Sequence, residues 1–451
     1  MSKHAVKQSP ARTLSRRRLL TAAGAGFAGA AATRLVAPWE AGAAPAQIRG
    51  SSLRILVWSH FIPAYDTAFD KYANDWGVEN AVTVRVDHIP IDQLPARIAS
   101  ELAAGAGHDV VQHHTNILVY QYHQSLVDLS DIADRIGKAN GGWIPMAKQV
   151  AQVNGTWYLV PEFYIAQPML WRTDLFQQYG LKEPSTWDAA RVAGRTGKGK
   201  TPKHDTGVQI SHCNDSNHDW RAIFYAFGVK ETDPSGKEIQ WDSKELREAM
   251  RFGKAMYDEC MTPQVLSWDN VSDNRYLGSG VAIWIHDAIS AFRSIQNVNP
   301  DLYKNIQVSG SWIEPRGPVG HPTPVVDPTA LGIWKFSKNQ AAARAFIEKY
   351  ISDVKFSMTE SKGYNMPMLN RWYTKPMPVL GTDPTVTHLQ DWGKYALING
   401  YPGPFTAAAA EVLATYVIPD MMTRYVQGND LEGSIKWGMG QIKSVYAKYK
   451  S

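Results

Sequence analysis

Aromatic and polar side chains recur directly after predicted strands, where they can stack on and hydrogen-bond a small ligand. Trp58 and His60 follow the first predicted strand. Trp284, His286 and Asp287 end a later one. Tryptophan offers a flat apolar face, and imidazole and carboxylate groups exchange hydrogen bonds with hydroxyl or amine groups. Because ligands of open α/β sheets bind beyond the carboxyl ends of the strands, these residues predict a ligand-binding cleft.

The other candidates for ligand contact follow further predicted strands or lie between them. His113 and Asn116 come after the third strand, and Glu162 and Tyr164 follow a strand that ends at Pro161. The set is completed by Trp220, Asp327, Tyr364 and Asn365. A competing interpretation places the tryptophans in the core and Glu162 in an internal salt bridge. The preference of ligands for boundaries between domains supports ligand contact for Glu162.

The sequence offers little support for catalysis. It contains neither the G-x-S-x-G elbow of serine hydrolases nor the H-E-x-x-H motif of zinc proteases. Glu162 and Asp287 can be drawn as an acid/base pair for a glycosidase, which needs two carboxyl groups across one bond. Since any cleft offers such pairs, the sequence predicts a binding protein and not an enzyme.

No metal or cofactor site is predicted. Asp215, Asn217 and Asp219 have the spacing that opens a calcium-binding loop. The sixth position of that loop is Trp220 instead of glycine, and the twelfth is Ala226 instead of glutamate. The two adjacent histidines after the third predicted strand point to opposite faces, so they do not converge on one ion.

The first half of the chain alternates between strands and helices. Strands are predicted at 53–58, 82–86 and 109–112, with helices at 64–76 and 91–102 between them. The order strand, helix, strand, helix, strand is typical of an α/β fold with a largely parallel sheet. Such a sheet brings the segments that follow its strands to one edge.

The same pattern resumes further along the chain. Asp242 with Glu245 predicts a capping box at the start of a helix. The segment 193–205, rich in glycine and lysine, is predicted to be a solvated loop. Further strands are predicted at 155–161, 167–171, 281–285 and 331–336, and helices from residue 405 onward.

Three motifs in the middle of the chain carry a family resemblance. Residues 154–161 read NGTWYLVP, 170–176 read LWRTDLF and 179–188 read YGLKEPSTWD. In this order they resemble the G-x-x-Y-x-x-P, N/R-x-D-L-F and G-L-x-x-P-x-T-W motifs of the family 1 extracellular solute-binding proteins, the maltose-binding-protein-like group. The resemblance spans 53 to about 445. Residues 105–111 match another motif of the family, with His108 in place of its usual proline.

The resemblance implies a type II periplasmic-binding-protein fold. Two α/β lobes would be joined by hinge strands and would close over a ligand in the cleft at the hinge. Because the chain crosses between lobes several times, the domains would be discontinuous. We expect the N-terminal lobe at 47–161 and 312–370, and the C-terminal lobe at 162–311 and 371–451.

The function that the resemblance implies is capture without chemistry. The protein would be the substrate-binding component of an ABC importer and would deliver a small solute, most simply a carbohydrate, to a membrane permease. It would act as a monomer.

Two alternatives remain open at this point. Residues 58–62 also resemble the N-W-S-x-Y-I opening of polyamine-binding relatives, and Glu162, Asp287 and Asp327 would then pair with ammonium groups beside tryptophan faces. The other alternative is a secreted carbohydrate-active enzyme.

The N-terminal segment predicts export. Residues 15–20 read SRRRLL, an apolar stretch follows at 21–32, and the small residues at 44–46 suit a signal peptidase. Residues 1–46 are therefore expected to be a cleavable twin-arginine signal that directs the protein to the periplasm. Export permits a disulfide between Cys213 and Cys260, although two cysteines in a chain of this size are more often buried and free.

Removal of the signal changes the charge balance. The chain has 47 Lys+Arg and 42 Asp+Glu, and residues 1–46 hold seven of the basic residues and one acid. The remainder therefore carries 40 basic against 41 acidic side chains. Without a basic surplus, a nucleic-acid partner is not expected.

Overall fold

The computed structural model describes residues 48–114, 119–374 and 376–449. The predicted signal segment and Asn116 lie outside these residues. The strands are β1 (Ser52–Trp58), β2 (Thr83–Ile89), β3 (Val110–His113), β4 (Gln152–Val153), β5 (Thr156–Trp157), β6 (Leu159–Ala166), β7 (Met169–Arg172), β8 (Trp284–His286), β9 (Ile306–Val308), β10 (Val326–Ile333) and β11 (Met366–Pro367).

Helices surround these strands. They are α1 (Pro63–Asn80), α2 (Leu94–Ala104), α3 (Val119–Tyr122), α4 (Ser130–Ala139), α5 (Pro145–Ala151), α6 (Thr173–Gln178), α7 (Trp187–Lys198), α8 (Asn214–Ala226), α9 (Lys244–Cys260), α10 (Ser272–Gly278), α11 (Ser290–Val298), α12 (Pro300–Tyr303), α13 (Gln340–Ser352), α14 (Val354–Glu360), α15 (Ala407–Ala414), α16 (Val417–Val426) and α17 (Leu431–Ala447). Among the described helices, none combines the length and the apolar composition needed to cross a membrane.

A six-stranded sheet is the larger of the two main sheets. Its strand order is β11-β6-β10-β3-β1-β2. Strand β1 runs parallel to β2 and β3, as the alternating pattern predicts, but β10 runs antiparallel to both β3 and β6. The predicted largely parallel sheet is therefore wrong in its second half. Parallel neighbours are usually joined by a helical crossover. No such crossover joins β6 to β10, because the chain passes through the smaller sheet between them.

The smaller sheet has three antiparallel strands in the order β8-β7-β9. The chain leaves the large sheet after Ala166 and enters the small sheet at Met169. It returns between Val308 and Val326. These changes of sheet lie close to the predicted crossings at 161 and 311, and the exact extent of each lobe remains a prediction.

Helix α9 shows how local sequence sets an element. Its N-cap is Ser243, whose Oγ accepts a hydrogen bond from the backbone N–H of Leu246 at 3.2 Å. The predicted capping box therefore needs a correction, because the cap is one residue later than Asp242. The helix buries Leu246, Ala249, Met250, Gly253, Met256 and Cys260 on one face.

The predicted solvated loop at 193–205 is wrong in its first half. Residues up to Lys198 continue helix α7, and Ala193, Gly194 and Gly197 are buried. A Cβ on Gly197 would lie 2.1 Å from the backbone oxygen of His204, so only glycine permits this close packing. Residues 194–201 also match the G-x-x-x-x-G-K-T spacing of a phosphate-binding loop. Because residues 194–198 are part of helix α7 and do not follow a strand, the geometry of such a loop is not formed there.

Both cysteines are buried. Cys213 and Cys260 are free thiols, so the two positions are not joined by a disulfide. Burial raises the pKa of each thiol to about 12. Reactive cysteines need a lowered pKa and access to solvent, so these two serve packing.

Helices α8, α9 and α16 meet at Gly253, and this contact generates a stability prediction. A Cβ at that position would lie 2.5 Å from a ring carbon of Trp220 and 2.8 Å from the methyl carbon of Met422. We expect Gly253→Ala to lower the free energy of unfolding by about 1–3 kcal/mol because of overpacking. The matched control is Gly440→Ala in α17, where no atom lies within 4 Å of the added Cβ.

That control should instead raise stability by about 1 kcal/mol, since alanine favours a helix more than glycine does. Urea unfolding of the two variants measures the difference. If both variants were stabilised, the close packing at Gly253 would be refuted.

Candidate functional site

Polar and aromatic side chains from both sheets form one buried layer. Strands β1 and β3 end on the large sheet at this layer, and β8 ends there on the small sheet. Helix α8 reaches it with its first residue, because Asn214 Nδ2 donates to Asp327 Oδ2 on β10 at 2.8 Å. Of the predicted site residues within the described part of the chain, none is more than 8 % exposed. The layer therefore lies between the sheets and away from bulk solvent.

Four of the predicted residues pack against one another on the large sheet. Trp58 stacks on His60 with ring centroids 4.8 Å apart, and Tyr364 contacts both rings at 6.4 and 4.8 Å. Asn365 accepts a hydrogen bond from His60 Nε2 at 2.9 Å. The structure thus joins the end of β1 to the segment before β11 in an aromatic wall consisting of Trp58, His60, Tyr364 and Asn365.

His60 is held in one neutral form. Its Nδ1 accepts from the backbone N–H of Ile62 at 2.9 Å, which leaves the proton on Nε2 to face Asn365. Burial lowers the pKa of His60 to about 4, although the hydrogen bond to Asn365 acts in the opposite direction. The ring is therefore a neutral hydrogen-bonding group at physiological pH.

Asp327 connects the large sheet with helix α8. Its Oδ2 lies 3.0 Å from His114 Nε2 and 3.5 Å from His218 Nε2, in addition to its bond with Asn214. Burial alone would raise its pKa, but the charges of His114 and His218 outweigh burial and lower it. Asp327 is therefore an ionised group that already has partners.

Three further carboxylates meet beside Asp327 and form the acid cluster, defined as Asp215, Asp273 and Asp287. They come from the first turn of α8, the first turn of α10 and the residue after β8. One oxygen from each lies within 4.8 Å of one oxygen from both others, and all three side chains are buried. Two unit charges 4.8 Å apart repel by about 3 kcal/mol at an effective dielectric constant of ~20. The cluster therefore disfavours full ionisation of its members.

Neutral amides supply the hydrogen bonds that the acid cluster receives. Gln167 Nε2 donates to Asp215 Oδ1 at 3.3 Å, and Gln209 Nε2 donates to Asp273 Oδ2 at 2.6 Å. When the side-chain amide of Asn274 is oriented so that its nitrogen faces the neighbouring carboxylates, this nitrogen lies 2.6 Å from Oδ2 of Asp287. Burial and the neighbouring acids raise the pKa of Asp273 to about 8 and those of Asp215 and Asp287 well above their usual value.

A hydrogen bond joins the segment after β2 of the large sheet to the segment before α10. Asn270 Nδ2 donates to both carboxylate oxygens of Asp92 at 3.1 Å. The same Asn270 accepts from the backbone N–H of Asn214 at 2.8 Å and so caps helix α8. Since Asp92 follows β2, this contact joins the large sheet to the helix that carries Asp215.

His286 lies in an ion-paired group next to the acid cluster. Its Nδ1 is 2.6 Å from Asp219 Oδ1, and its Nε2 is 2.8 Å from Glu314 Oε1. Burial would lower the pKa of His286, but the charges of Glu314 and Asp219 outweigh burial and raise it to about 10. Both ring nitrogens are engaged, so direct ligand contact by His286 remains an untested prediction that this packing does not favour.

Glu162 and Tyr164 are engaged within the large sheet. Glu162 accepts from Gln112 Nε2 and Tyr350 OH at 2.6 Å each and from Thr329 Oγ1 at 3.0 Å. These neutral donors replace the salt bridge that was the alternative for this position, and burial raises the pKa of the carboxyl. Tyr164 is bonded through its hydroxyl to Tyr373 at 2.9 Å. Ligand contact by Glu162 and Tyr164 stays a prediction.

The remaining candidates point away from the layer. Trp220 donates its indole N–H to the backbone oxygen of Gln209 at 2.8 Å, and Trp284 donates to Ala190 at 2.8 Å. Both rings are fully buried in the core around the small sheet, which favours the packing interpretation. His113 contacts Trp334 on the other face of β3.

Several residues of the layer were not among the predicted candidates. His114, and not the predicted His113, contacts Asp327 in the layer. Asp273 belongs to the acid cluster, and Gln167 and Gln209 donate hydrogen bonds to it. Alternation along β3 gives opposite faces to His113 and His114, but it does not say which face meets the ligand. Asp273 lies in the first turn of a short helix, where an acid is favourable because of the helix dipole. An aspartate at this position therefore did not indicate a role in the site.

Solved structures with the same fold are the two-lobed periplasmic binding proteins. Maltose-bound T. maritima MalE3 aligns with a TM-score of 0.76 at 20% identity, covering 88% of this chain and all of that one. An ABC transporter solute-binding protein from Agrobacterium radiobacter K84 in complex with ribitol gives 0.73 at 17% identity, with coverage of 88% and 99%. The GacH receptor of Streptomyces glaucescens, solved alone and with acarbose, gives 0.74 at 18%, with coverage of 89% and 99%.

The family follows from the sequence profile. Residues 62–354 match the family described as bacterial extracellular solute-binding protein. The match spans more than half of the chain, so the chain belongs to this family. No curated protein sequence matches it significantly.

The ion pairs of His286 generate a stability prediction. We expect His286→Gln to lower the free energy of unfolding by about 3–5 kcal/mol, because Asp219 and Glu314 would lose the buried cation between them. The control is Arg275→Gln, which removes an exposed pair 2.9 Å from Asp269 and should cost less than about 1 kcal/mol. Urea unfolding that gave equal losses for both variants would contradict the buried cation.

The lowered pKa of His60 predicts how stability depends on pH. The unfolded chain binds the proton near pH 6.5, whereas the folded chain does so only near pH 4. The contribution of neutral His60 is therefore complete above pH 6.5 and is lost as the pH falls through 4.

Removal of the ring should make the protein less sensitive to acid in this interval. We expect His60→Gln to lose up to about 3 kcal/mol less stability than the parent over this interval. His321→Gln, at an exposed position, controls for loss of a histidine. Denaturant unfolding at a series of pH values measures this, and parallel curves for the parent and His60→Gln would refute the buried neutral ring.

Proposed function

We propose that the protein is the exported substrate-binding component of an ABC importer. It captures a carbohydrate or sugar alcohol between its two sheets and delivers it to a membrane permease. The observation that carries the proposal is the buried layer of polar and aromatic side chains drawn from both sheets. A flat aromatic wall and several hydrogen-bonding groups suit a compact hydroxylated solute.

Capture requires the layer to open. Trp58, Tyr364 and Asp287 are each 2 % exposed, so a solute reaches them only if the two sheets separate. Direct bonds oppose this separation, among them the contact between Asn270 and Asp92 and the contact between Asn214 and Asp327. Ligand contacts made by both sheets would favour the closed arrangement over the open one.

The structural relatives support the choice of solute class. The similar T. maritima protein was solved with maltose, and the Agrobacterium protein with ribitol. The family is one of extracellular proteins, which supports export through the predicted signal. No chemical step is proposed, because Glu162 is held by three donors within the large sheet.

Ligand-induced closure is the first test of this function. Maltose, mannitol and ribitol are added to the mature protein, residues 47–451, and X-ray scattering measures its radius of gyration. We expect at least one solute to reduce the radius and to stabilise the protein by about 2.7 kcal/mol at a hundredfold excess over its Kd. Unchanged scattering with neutral sugars, polyols and amines alike would refute capture by closure.

The bond between Asp92 and Asn270 provides a matched pair of variants. We expect Asp92→Ala to weaken the apparent affinity about fivefold to tenfold without touching the solute, because it removes a bond made only in the closed form. Asp301→Ala, at a side chain that is 95% exposed, is the control and should bind like the parent. Equal affinities for both variants would show that the bond does not contribute to closure.

A further inference from the structure

No cationic side chain among the described residues forms an ion pair with the acid cluster, although the cluster is buried. Asp327 has two histidines, and Asp219 and Glu314 share His286, but the described hydrogen bonds to the cluster come from neutral amides and a backbone N–H group. Buried charges are usually paired with an opposite charge or hold a cation. The balance of charge therefore points to a cationic occupant next to Asp215, Asp273 and Asp287.

Two buried oxygens in and beside the cluster have no hydrogen-bond partner among the described residues. Asp215 Oδ2 is buried and has no hydrogen-bond partner among the described residues. Gln167 is 3 % exposed, and its amide nitrogen contacts Asp215 Oδ1. The other end of that amide, Oε1, also lacks a partner in the described part of the chain. Gln167 Oε1 and Asp215 Oδ2 are thus two buried acceptors that need a hydrogen-bond donor.

We propose that the acid cluster binds a protonated primary amine of the captured solute, so that an amino sugar or another compact amine binds more tightly than its neutral counterpart. This inference rests on the proposed capture role. Glu162 and Asp327 already have partners of their own. In this proposal Asp215 and Asp273, instead of those two residues, contact the ammonium ion.

The geometry suits an ammonium ion. Such an ion carries three N–H donors, and the cluster offers one oxygen from each of three side chains. Oxygens placed about 2.8 Å from a tetrahedral nitrogen stand about 4.6 Å apart, and the three oxygens of the cluster all lie within 4.8 Å of one another. A calcium ion would need six to eight oxygens, whereas several oxygens here already face N–H groups of Gln167, Gln209 and Asn274.

The surroundings of the cluster suit the rest of such a solute. Burial and then the charges of Asp287 and Asp215 raise the pKa of Tyr364, so the negative charge of the cluster acts on this side chain. The same ring contacts Trp58 and His60 in the aromatic wall. An amine at the cluster would therefore leave its carbon skeleton facing aromatic rings, where cation–π and stacking contacts add to the ion pairs.

Titration calorimetry with matched amines and neutral compounds tests the proposal. The amine probes are putrescine, spermidine and glucosamine. Their neutral counterparts are the diol of the same chain length as putrescine, and glucose. We expect at least one amine to bind, with its neutral counterpart at least about tenfold weaker. Binding of glucosamine would identify the amino-sugar class, and binding of putrescine or spermidine the polyamine class.

A variant of the cluster separates a ligand role from a structural one. Asp215→Asn keeps the shape and still accepts from Gln167, but it removes one charge. We expect it to weaken amine binding about tenfold or more and also to raise the unfolding midpoint of the ligand-free protein, because repulsion in the cluster is relieved. Asp301→Asn is the exposed control and should change neither quantity. If Asp215→Asn fails to fold, Asp287→Asn is used in its place. The comparison of amines with neutral compounds is made on the parent protein and needs neither variant.

Three results would overturn the amine proposal. Glucose or the diol binding as tightly as the amines would do so while leaving the capture role intact. Stabilisation by calcium chloride alone, reversed by a chelator, would replace the amine with a metal ion. Absence of binding by all three amines at millimolar concentration would also overturn it. Failure of the capture role itself is a separate outcome, since it requires that no solute of any class compacts the protein.

Discussion

Negative charge buried between two sheets is the constraint on which the rest of this structure depends. Six buried acids lie near the boundary, and histidines accompany three of them. Asp327 faces His114 and His218, and His286 lies between two carboxylates. The acid cluster of Asp215, Asp273 and Asp287 receives hydrogen bonds from neutral donors, and no ion pair to it is found among the described residues. Because all three carboxylates lie within the predicted C-terminal lobe, their mutual repulsion acts in the open and the closed arrangement alike. A bound cation would favour closure through its additional contacts with the large sheet.

The same constraint explains the arrangement of the elements around the boundary. Helix α8 carries Asp215 in its first turn, and its N-terminus is capped by Asn270, which also bonds Asp92 beyond β2. One residue therefore couples the position of the cluster to the contact between the sheets. Strands β6 and β10 are buried along their whole length, and the chain crosses between the sheets after β6 and before β10.

Local sequence patterns predicted much of the fold. The strands at 53–58, 82–86 and 109–112 are confirmed as β1 to β3, because alternation and turn residues are local signals. The antiparallel course of β10 was not predictable in this way, since pairing between β3, β6 and β10 joins distant parts of the chain. Small residues misled the prediction at 193–205, where glycines allow close helix packing instead of forming a loop.

The candidate site was predictable only in part, for a different reason. Strand ends located Trp58, His60 and Asp287 near one boundary. Residue type alone did not separate a ligand-stacking tryptophan from a core tryptophan, and Trp220 and Trp284 prove to be packed in the core. The acid cluster depends on three elements whose contact is set by tertiary packing, so Asp273 carried no sign of its role in the sequence.

A crystal structure of the protein with the amine that binds most tightly in calorimetry tests the central claim most directly. The account predicts a nitrogen atom at about 2.7–2.9 Å from one oxygen each of Asp215, Asp273 and Asp287, with the carbon skeleton against Trp58 and Tyr364. A hydroxyl group at the cluster with the nitrogen elsewhere, or a metal ion at about 2.3–2.6 Å from these oxygens, would contradict it.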